Sequence, residues 1–368
     1  MRDILIIAGE ASGDLHAAGV ARQLRVAAPG VRLVGVGGQR MAESGVELFE
    51  RTAGVVGFVE VLRHLPAHWR LLRQVTRLLQ NGRVGLAILV DYGGFNLRAA
   101  AVAHAAGVPV LYYVTPQVWA SRPERMRRMA RVVTRAAVIL PFEEELLRAN
   151  DIDATFVGHP LLDHLAELPS RAEARARLGF GENDAVLALF PGSRPQEIAR
   201  HAEGFTAVAR DLIRRRPGLN VVVSAAGSSE LRLGDIPHRV VHGASFDVLR
   251  AADAALCKSG TTTIEAAIAG CPSAIVYRVN PLTYAIVRRI VTVRHIGLVN
   301  IVAGKDVVPE FVQDAFVPGT VADALEPLLD ASSPARARMV EGLADVRARL
   351  GTPGASGRVA AMALGMLR

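Results

Sequence analysis

Short apolar runs alternate with amphipathic segments along this chain, and the alternation predicts its elements. In the first half the apolar runs predict strands at residues 4–7, 31–36, 86–90, 108–114, 137–140 and 155–157. The segments between them predict helices at 15–27, 66–80, 97–106, 123–133 and 143–149. The pattern then restarts, with strands at 186–190, 220–224, 239–241, 254–256 and 273–276 and helices at 171–178, 199–215, 245–251 and 263–269. Strands that alternate with helices are typical of parallel, doubly wound sheets.

The repetition of this pattern predicts an α/β protein with two Rossmann-like domains that face each other across a cleft. The 368 residues are enough for two domains with a core each. We place the first domain at residues 1–165 and the second at 166–333, with a hinge at 160–169. Residues 334–368 are expected to form a helical tail.

Small polar turns follow the predicted strands that begin each half. Ala8-Gly9-Glu10-Ala11-Ser12-Gly13-Asp14 comes after the strand at 4–7, and Pro191-Gly192-Ser193-Arg194 after the strand at 186–190. Open α/β sheets bind ligands at the carboxyl ends of their strands. Carboxylates in one turn and an arginine in the other indicate different duties for the two halves.

Two further turns carry groups suited to chemistry. Asp91 ends the strand at 86–90, where its carboxylate could deprotonate an attacking hydroxyl, although a turn aspartate is the commoner case. Ser259, Gly260, Thr261 and Thr262 open a helix after the strand at 254–256. A helix N-terminus of this kind binds phosphate, whereas an ordinary helix cap is the alternative; the arginine turn in the same half favours phosphate.

Composition indicates which partners and cofactors to expect. The formal net charge of +8 indicates an anionic partner. Aromatic residues make up only 5% and no nucleic-acid-binding motif occurs, so we expect no nucleic acid. Two cysteines and scattered histidines predict no metal site, and no cofactor is expected. With neither a signal peptide nor a membrane-spanning run, the chain is expected to be cytoplasmic.

Three segments are candidates for lipid contact. The apolar stretch 54–62 is expected to meet acyl chains, with a buried strand or helix start as the alternative, and the strand-end loop 113–119 offers further aromatic contacts. A basic helix at 282–295 is expected to lie on an anionic membrane surface, with a plain core helix as the alternative. The residues proposed for these contacts are Val56, Phe58, Val59, Leu62, Trp119, Arg288 and Arg289.

Several motifs together resemble the lipid-A-disaccharide synthase family. The strongest are the turns at 8–14, 191–194 and 259–265, with Tyr113-Val114-Thr115-Pro116-Gln117-Val118-Trp119 and Phe156-Val157-Gly158-His159-Pro160 between them. Asn300-Ile301-Val302-Ala303-Gly304 and Val308-Pro309-Glu310-Phe311-Val312-Gln313 follow in the same order. The resemblance runs from about residue 4 to residue 313.

The resemblance implies an inverting glycosyltransferase with the two-domain GT-B fold. Members join UDP-diacylglucosamine to lipid X, a diacylated glucosamine 1-phosphate, and release UDP. By resemblance Asp91, Glu10 and Ser12 are catalytic. The UDP donor is expected to contact Gly192, Ser193, Arg194, Ser259, Gly260, Thr261, Thr262, Glu265, Asn300, Glu310 and Gln313. The enzyme would be peripheral on the cytoplasmic face of the inner membrane, and a homodimer is left open.

The sequence departs from the family pattern at two positions. Gly94 stands where members often carry a second acid, and Ser121 where they often carry a second tryptophan. Two other functions fit the same architecture: a UDP-sugar epimerase, and a non-catalytic nucleotide-sugar-binding protein on the membrane.

Overall fold

The computed structural model describes residues 2–51, 65–117, 123–225, 233–280, 284 and 294–367. The chain forms two compact units, residues 1–163 with 351–368 and residues 164–350. Both are layered α/β structures, as the alternation of strands and helices predicted. Among the described residues no helix is long and apolar enough to cross a membrane.

The first unit holds, within the described residues, a parallel sheet of seven strands in the order β3-β2-β1-β4-β5-β6-β7. These are β1 (Asp3–Ala8), β2 (Leu33–Gly37), β3 (Glu47–Arg51), β4 (Val84–Val90), β5 (Val110–Tyr113), β6 (Arg135–Val138) and β7 (Ala154–Phe156). Its α-helices, in the residues that the structure describes, are Ala11–Ala27, Gln39–Glu43, Leu65–Gln80, Gly93–Ala105, Pro123–Val132, Glu143–Arg148 and Ala355–Met366. Apolar side chains cover both sheet faces, which is why its central strands read as continuous apolar runs.

The second unit repeats the design with six described strands in the order β10-β9-β8-β11-β12-β13. They are β8 (Val186–Phe190), β9 (Asn220–Ala225), β10 (Arg239–His242), β11 (Ala254–Lys258), β12 (Ser273–Tyr277) and β13 (Glu310–Val312). The described α-helices of this unit are Arg171–Leu178, Pro195–Arg215, Ser245–Ala251, Thr262–Ala269, Leu298–Ala303, Pro318–Leu325 and Pro334–Arg349. Again apolar clusters pack on both faces.

Two strands were missing from the expected set, and both lie at sheet edges. β3 is largely exposed and β13 has only three residues. Neither has the continuous apolar run by which the buried strands were recognised. Edge strands carry polar residues because one side of them meets water.

The expected helical tail is divided between the two units. Pro334–Arg349 belongs to the second unit, whereas Ala355–Met366 returns to the first. Val359, Ala360 and Ala363 of this last helix are buried in the core of the first unit. Its start is held there by Asp163, which accepts hydrogen bonds from the backbone N–H groups of Gly354, Ala355 and Ser356 at 2.7–3.0 Å. Although burial opposes ionisation, these donors hold the pKa of Asp163 below its ordinary value.

Candidate functional site

The strand order of the first sheet reverses between β1 and β4, and the candidate acids follow these two strands. The strands pair in parallel, with Ile7 beside Leu89 and Ala8 beside Val90. Glu10 and Asp91 therefore emerge at the same edge of the sheet from adjacent strands. A topological switch point of this kind is where open α/β sheets bind ligands.

Asp91 sits on a constrained turn. Both Asp91 and Tyr92 have left-handed backbones, each with φ of 51°. The carbonyl of Asp91 accepts hydrogen bonds from the Asn96 amide at 2.8 Å and the Tyr112 hydroxyl at 2.8 Å. Non-glycine residues rarely adopt this backbone, and such strain clusters at functional sites.

Asn96 was missed by the sequence analysis. Its side chain is fully buried, and its amide also donates to Val90 O at 3.2 Å and Ile7 O at 3.4 Å. One side chain thus links the ends of β1 and β4. The signal available in the sequence was the glycine-rich turn at 92–96, but the distance of 89 residues to Ile7 concealed its partner.

Tyr92 directly follows Asp91 on this turn. Burial raises the pKa of its phenol, and the negative charge of Glu10 raises it further. The hydroxyl lies 2.6 Å from His68 Nε2. A Cβ on Gly9 would fall 2.2 Å from the ring, so glycine is required there.

Ser12 and Asp14 of the turn at 8–14 differ in burial: Ser12 is exposed and Asp14 is buried. Ser12 is exposed in the first turn of the helix Ala11–Ala27. Asp14 is buried, and its carboxylate accepts from the N–H groups of Gly38, Arg40 and Met41 at 2.8–3.1 Å. Asp14 therefore anchors the turn after β2, while Ser12 stays accessible beside the acids.

The second sheet reverses between β8 and β11, and both candidate phosphate turns lie there. The strands are parallel neighbours, with Phe190 beside Cys257. Gly192 has φ of 128°, and Arg194 forms the N-cap of the helix Pro195–Arg215. The Arg194 side chain is 44% exposed, so it can reach a ligand.

The second turn brings another helix N-terminus to this edge. Gly260 has φ of 159°, and the helix Thr262–Ala269 begins two residues later. Ser259 donates its hydroxyl to Ile296 O at 2.7 Å, and Thr263 donates to Gly260 O at 2.9 Å. The Ser259 hydroxyl, which was expected to contact the UDP-sugar donor, thus donates its hydrogen bond within the protein.

A lysine missed by the sequence analysis lies beside these turns. Lys258 Nζ is 2.9 Å from Glu197 Oε1, and each side chain is 18% exposed. Burial opposes ionisation of Glu197, but the hydrogen bond and charge of Lys258 hold its pKa below the ordinary value. Lys258 comes directly before the predicted turn, and this position was the available signal.

Glu265 lies one turn into its helix. Burial raises the pKa of its carboxyl, and a hydrogen bond with Ser245 partly offsets this. Its side chain is partly exposed. A carboxylate here remains able to accept hydrogen bonds from hydroxyl groups of a ligand.

Asn300 and Glu310 are engaged with each other. Asn300 is fully buried, donates to Glu310 Oε1 and Val308 O at 2.8 Å each, and accepts from two backbone N–H groups. Glu310 accepts from the N–H groups of Ile296 and Gly297. These side chains hold the loop before the helix Leu298–Ala303; direct donor contact by them stays a prediction.

Gln313 holds a neighbouring segment. Its amide accepts from Val279 N at 2.6 Å and donates to Val279 O at 3.1 Å. Its own backbone is left-handed, with φ of 53°. Buried in this way, Gln313 supports the chain that follows β12, and its contact with donor also stays a prediction.

The seven residues proposed for lipid contact lie outside the described residues. These are Val56, Phe58, Val59, Leu62, Trp119, Arg288 and Arg289. In the part of the chain that the structure describes, no group of three or more His, Cys, Asp or Glu could hold a metal ion.

Comparisons with known proteins show which family this chain resembles. The family model for lipid-A-disaccharide synthetase matches residues 4–349. The lipid-A-disaccharide synthase of Syntrophotalea carbinolica is 42% identical over 98% of this chain and 94% of its own. Among solved structures, the UDP-GlcNAc 2-epimerase from Neisseria meningitidis superposes with a TM-score of 0.70 at 12% identity, covering 99% of this chain and 100% of its own.

A glycosyltransferase shares the architecture as well. The calicheamicin glycosyltransferase CalG4 has a TM-score of 0.63 at 18% identity, with 99% of this chain and 98% of its own covered. At such identities these structures show the fold alone. The family model and the 42% identical relative show the family as well as the fold. This chain therefore belongs to the lipid-A-disaccharide synthases, a family of glycosyltransferases with the GT-B fold.

Proposed function

We propose that this protein joins UDP-diacylglucosamine to lipid X, forming the β-linked lipid A disaccharide and releasing UDP. The observation that carries the proposal is the pair of switch points within the family fold. In the first unit, Glu10 and Asp91 follow two adjacent strands. In the second unit, two cations, Arg194 and Lys258, and two helix N-termini lie where adjacent strands end. The first unit then serves the acceptor, and the second the nucleotide.

The second unit is suited to a diphosphate. Arg194 supplies a guanidinium that can bind phosphate oxygens in pairs, and the helices Pro195–Arg215 and Thr262–Ala269 contribute positive N-terminal ends. These groups stabilise the charge that develops on departing UDP. Glu265 accepts the ribose hydroxyls.

The first unit is suited to proton removal. The primary hydroxyl of lipid X attacks the anomeric carbon on the face opposite the diphosphate. As the new C–O bond forms, the hydroxyl proton passes to a carboxylate, and the bond to UDP breaks with its electron pair on the diphosphate. Asp91 or Glu10 is the base, and Ser12 positions the acceptor beside them.

Removing Arg194 tests the donor assignment. Arg194→Ala should abolish turnover and weaken UDP binding by more than about 1.5 kcal/mol, the scale of a charged hydrogen bond, without unfolding the protein. Calorimetric titration with UDP measures this. Unchanged affinity would contradict the assignment of UDP to these turns.

Substituting the acids separates their roles. Asp91→Asn keeps the shape but removes the proton acceptor, so a base role predicts a rate lower by roughly 10²–10⁴-fold with UDP affinity retained. Glu10→Gln is the parallel variant. Whichever substitution leaves a near-normal rate excludes that carboxylate as the base.

Peripheral association with the cytoplasmic face of the inner membrane is part of the proposal. The helices Leu65–Gln80, Gly93–Ala105 and Pro123–Val132 pack side by side on one face of the first sheet. Their exposed arginines are Arg70, Arg73, Arg77, Arg98, Arg127, Arg128 and Arg131. Within the described residues no carboxylate pairs with any of them, and Trp69 beside Arg98 is 53% exposed. Such a surface attracts anionic headgroups.

Vesicle binding tests this surface. Arg73→Gln with Arg77→Gln should weaken binding to phosphatidylglycerol vesicles about tenfold or more, at about 1 kcal/mol per arginine, and binding should fade as salt rises. Arg22→Gln with Arg25→Gln removes the same charge from the helix on the opposite sheet face. Equal losses in both variants would contradict a specific membrane face.

One reaction mixture tests the function as a whole. The protein incubated with UDP-diacylglucosamine and lipid X should release UDP and form a disaccharide. An epimerase would instead convert UDP-acetylglucosamine alone, and a binding protein would turn over neither. A lack of disaccharide together with either result would overturn the proposal.

A further inference from the structure

Lysine is almost absent from this chain. Of its 43 lysines and arginines, only Lys258 and Lys305 are lysines. Lys305 is exposed, whereas Lys258 ends β11 at the switch point of the second unit with 18% of its side chain exposed. A compact ammonium thus occupies one enclosed position in a chain whose other basic residues are nearly all arginines.

The ammonium lies between the two turns. Its Nζ is 5.9 Å from the ring centre of Tyr277, and a Cβ on Gly260 would fall 3.8 Å from it. Glu197, its partner at 2.9 Å, lies against the other turn, since a Cβ on Gly192 would fall 2.8 Å from Glu197 Cβ. The planar guanidinium of an arginine is bulkier than this ammonium, so an arginine at position 258 would need more room between the two turns.

Glu197 gathers the groups that a phosphate would use. One carboxylate oxygen accepts from Lys258, with Arg194 Nη1 at 3.8 Å, and the other accepts from the backbone N–H of Ser193 at 3.2 Å. Two cations and a turn N–H therefore already converge on one anion. Without a lysine beside it, this carboxylate would repel an incoming diphosphate.

We propose that Lys258 binds the diphosphate of the donor, and that Glu197 holds the ammonium between the turns until the donor arrives. The proposal rests on the assignment of UDP to the second unit. An ammonium has three N–H donors, so it can keep Glu197 while bonding a phosphate oxygen. When the bond between the anomeric carbon and UDP breaks, its electron pair stays on the diphosphate, and Lys258 stabilises that charge without giving up a proton.

The scarcity of lysine permits a direct observation. Reductive methylation with ¹³C-formaldehyde labels only the two lysines and the N-terminal amine and preserves their charge; a dimethylated ammonium keeps one N–H, and its methyl signals report a diphosphate placed beside it. Spectra of Lys258→Arg and Lys305→Arg assign the signals. Saturating UDP should shift the Lys258 signal and leave that of Lys305 unchanged. If calorimetry shows UDP bound while the Lys258 signal stays in place, the proposal is overturned.

A set of variants distinguishes contact with the diphosphate from mere neutralisation of Glu197. Lys258→Met should weaken UDP binding roughly tenfold or more, the scale of one charged hydrogen bond, whereas the matched control Lys305→Met should bind normally. Glu197→Gln removes the repulsive charge while its amide oxygen can still accept from the ammonium, so its UDP affinity serves as the reference for the double variant. The double variant Lys258→Met with Glu197→Gln should stay weak; full recovery would show that the lysine only neutralises the glutamate.

The failure of this inference can be told from failure of the proposed function. If UDP binding depends on Arg194 but not on Lys258, only the role of the lysine is overturned. If the wild-type protein binds no UDP, the donor assignment fails with it. Should Lys258→Met not fold, the methylation experiment on the wild-type chain still decides the question.

Discussion

Replacing Asn96 with aspartate tests how the two acidic strand ends are held together. The substitution is nearly isosteric, but it exchanges an amide donor for a carboxylate. In the wild-type protein that donor faces three carbonyl oxygens, those of Asp91, Val90 and Ile7, at 2.8, 3.2 and 3.4 Å. A carboxylate placed there would be buried against acceptors, so the folded protein accommodates only the protonated acid, which keeps one O–H donor.

The loss in free energy of unfolding caused by Asn96→Asp follows from proton linkage. An unfolded aspartate has a pKa near 3.9, and burial among carbonyls raises the folded pKa well above that value. Stability is then fully present below about pH 3.9, falls as pH rises, and levels off above the folded pKa. At about 1.36 kcal/mol per pH unit, the loss is about 1.5 kcal/mol at pH 5 and about 4 kcal/mol at pH 7.

Urea unfolding at pH 5 and pH 7 measures this difference. Asn96→Ala should lose stability equally at both values, because it introduces no titrating group. Asn81→Asp is the exposed control, and it should behave as wild type. If Asn96→Asp shows no more pH dependence than Asn96→Ala, the buried donor geometry is wrong. Loss of activity at pH 5, where Asn96→Asp is still folded, would in turn show that the amide positions Asp91.

Three further variants follow from the packing. Gly94→Asp should fold normally, because a Cβ there meets no atom within 4 Å, and its rate shows whether a second acid improves catalysis. Gly9→Ala should lose most activity, because its Cβ would fall 2.2 Å from the Tyr92 ring; a normal rate would show that the ring moves freely. Asp163→Ala should lower the free energy of unfolding at pH 7 by about 1–2 kcal/mol through loss of a helix cap. Because the folded pKa of Asp163 is depressed, the wild-type advantage should shrink as pH falls below about 4, and an advantage that persists in acid would contradict the cap.

The local pattern of the sequence was enough to predict most elements and the turns, but not the edge strands β3 and β13 or the helices Gln39–Glu43, Leu298–Ala303 and Pro318–Leu325. Buried strands read as apolar runs, and the helices between them have amphipathic spacing, because each element must cover its own side of a core. The acidic turn at 8–14 and the turns at 191–194 and 259–265, which we propose bind phosphate, could be found for the same reason. Each lies within a few residues of a strand end, so chemistry and position are visible together.

Tertiary structure decided which of these residues meet. Lys258 and Glu197 are 61 residues apart and Asn96 and Ile7 are 89 apart, and each pair depends on which strands lie side by side at a switch point. Asp163 meets the helix Ala355–Met366 across more than 190 residues, which is why the tail could not be assigned from its own pattern. Hydrophobic periodicity specifies what each segment buries, whereas strand order and long-range hydrogen bonds, set by packing of the whole chain, specify its partners.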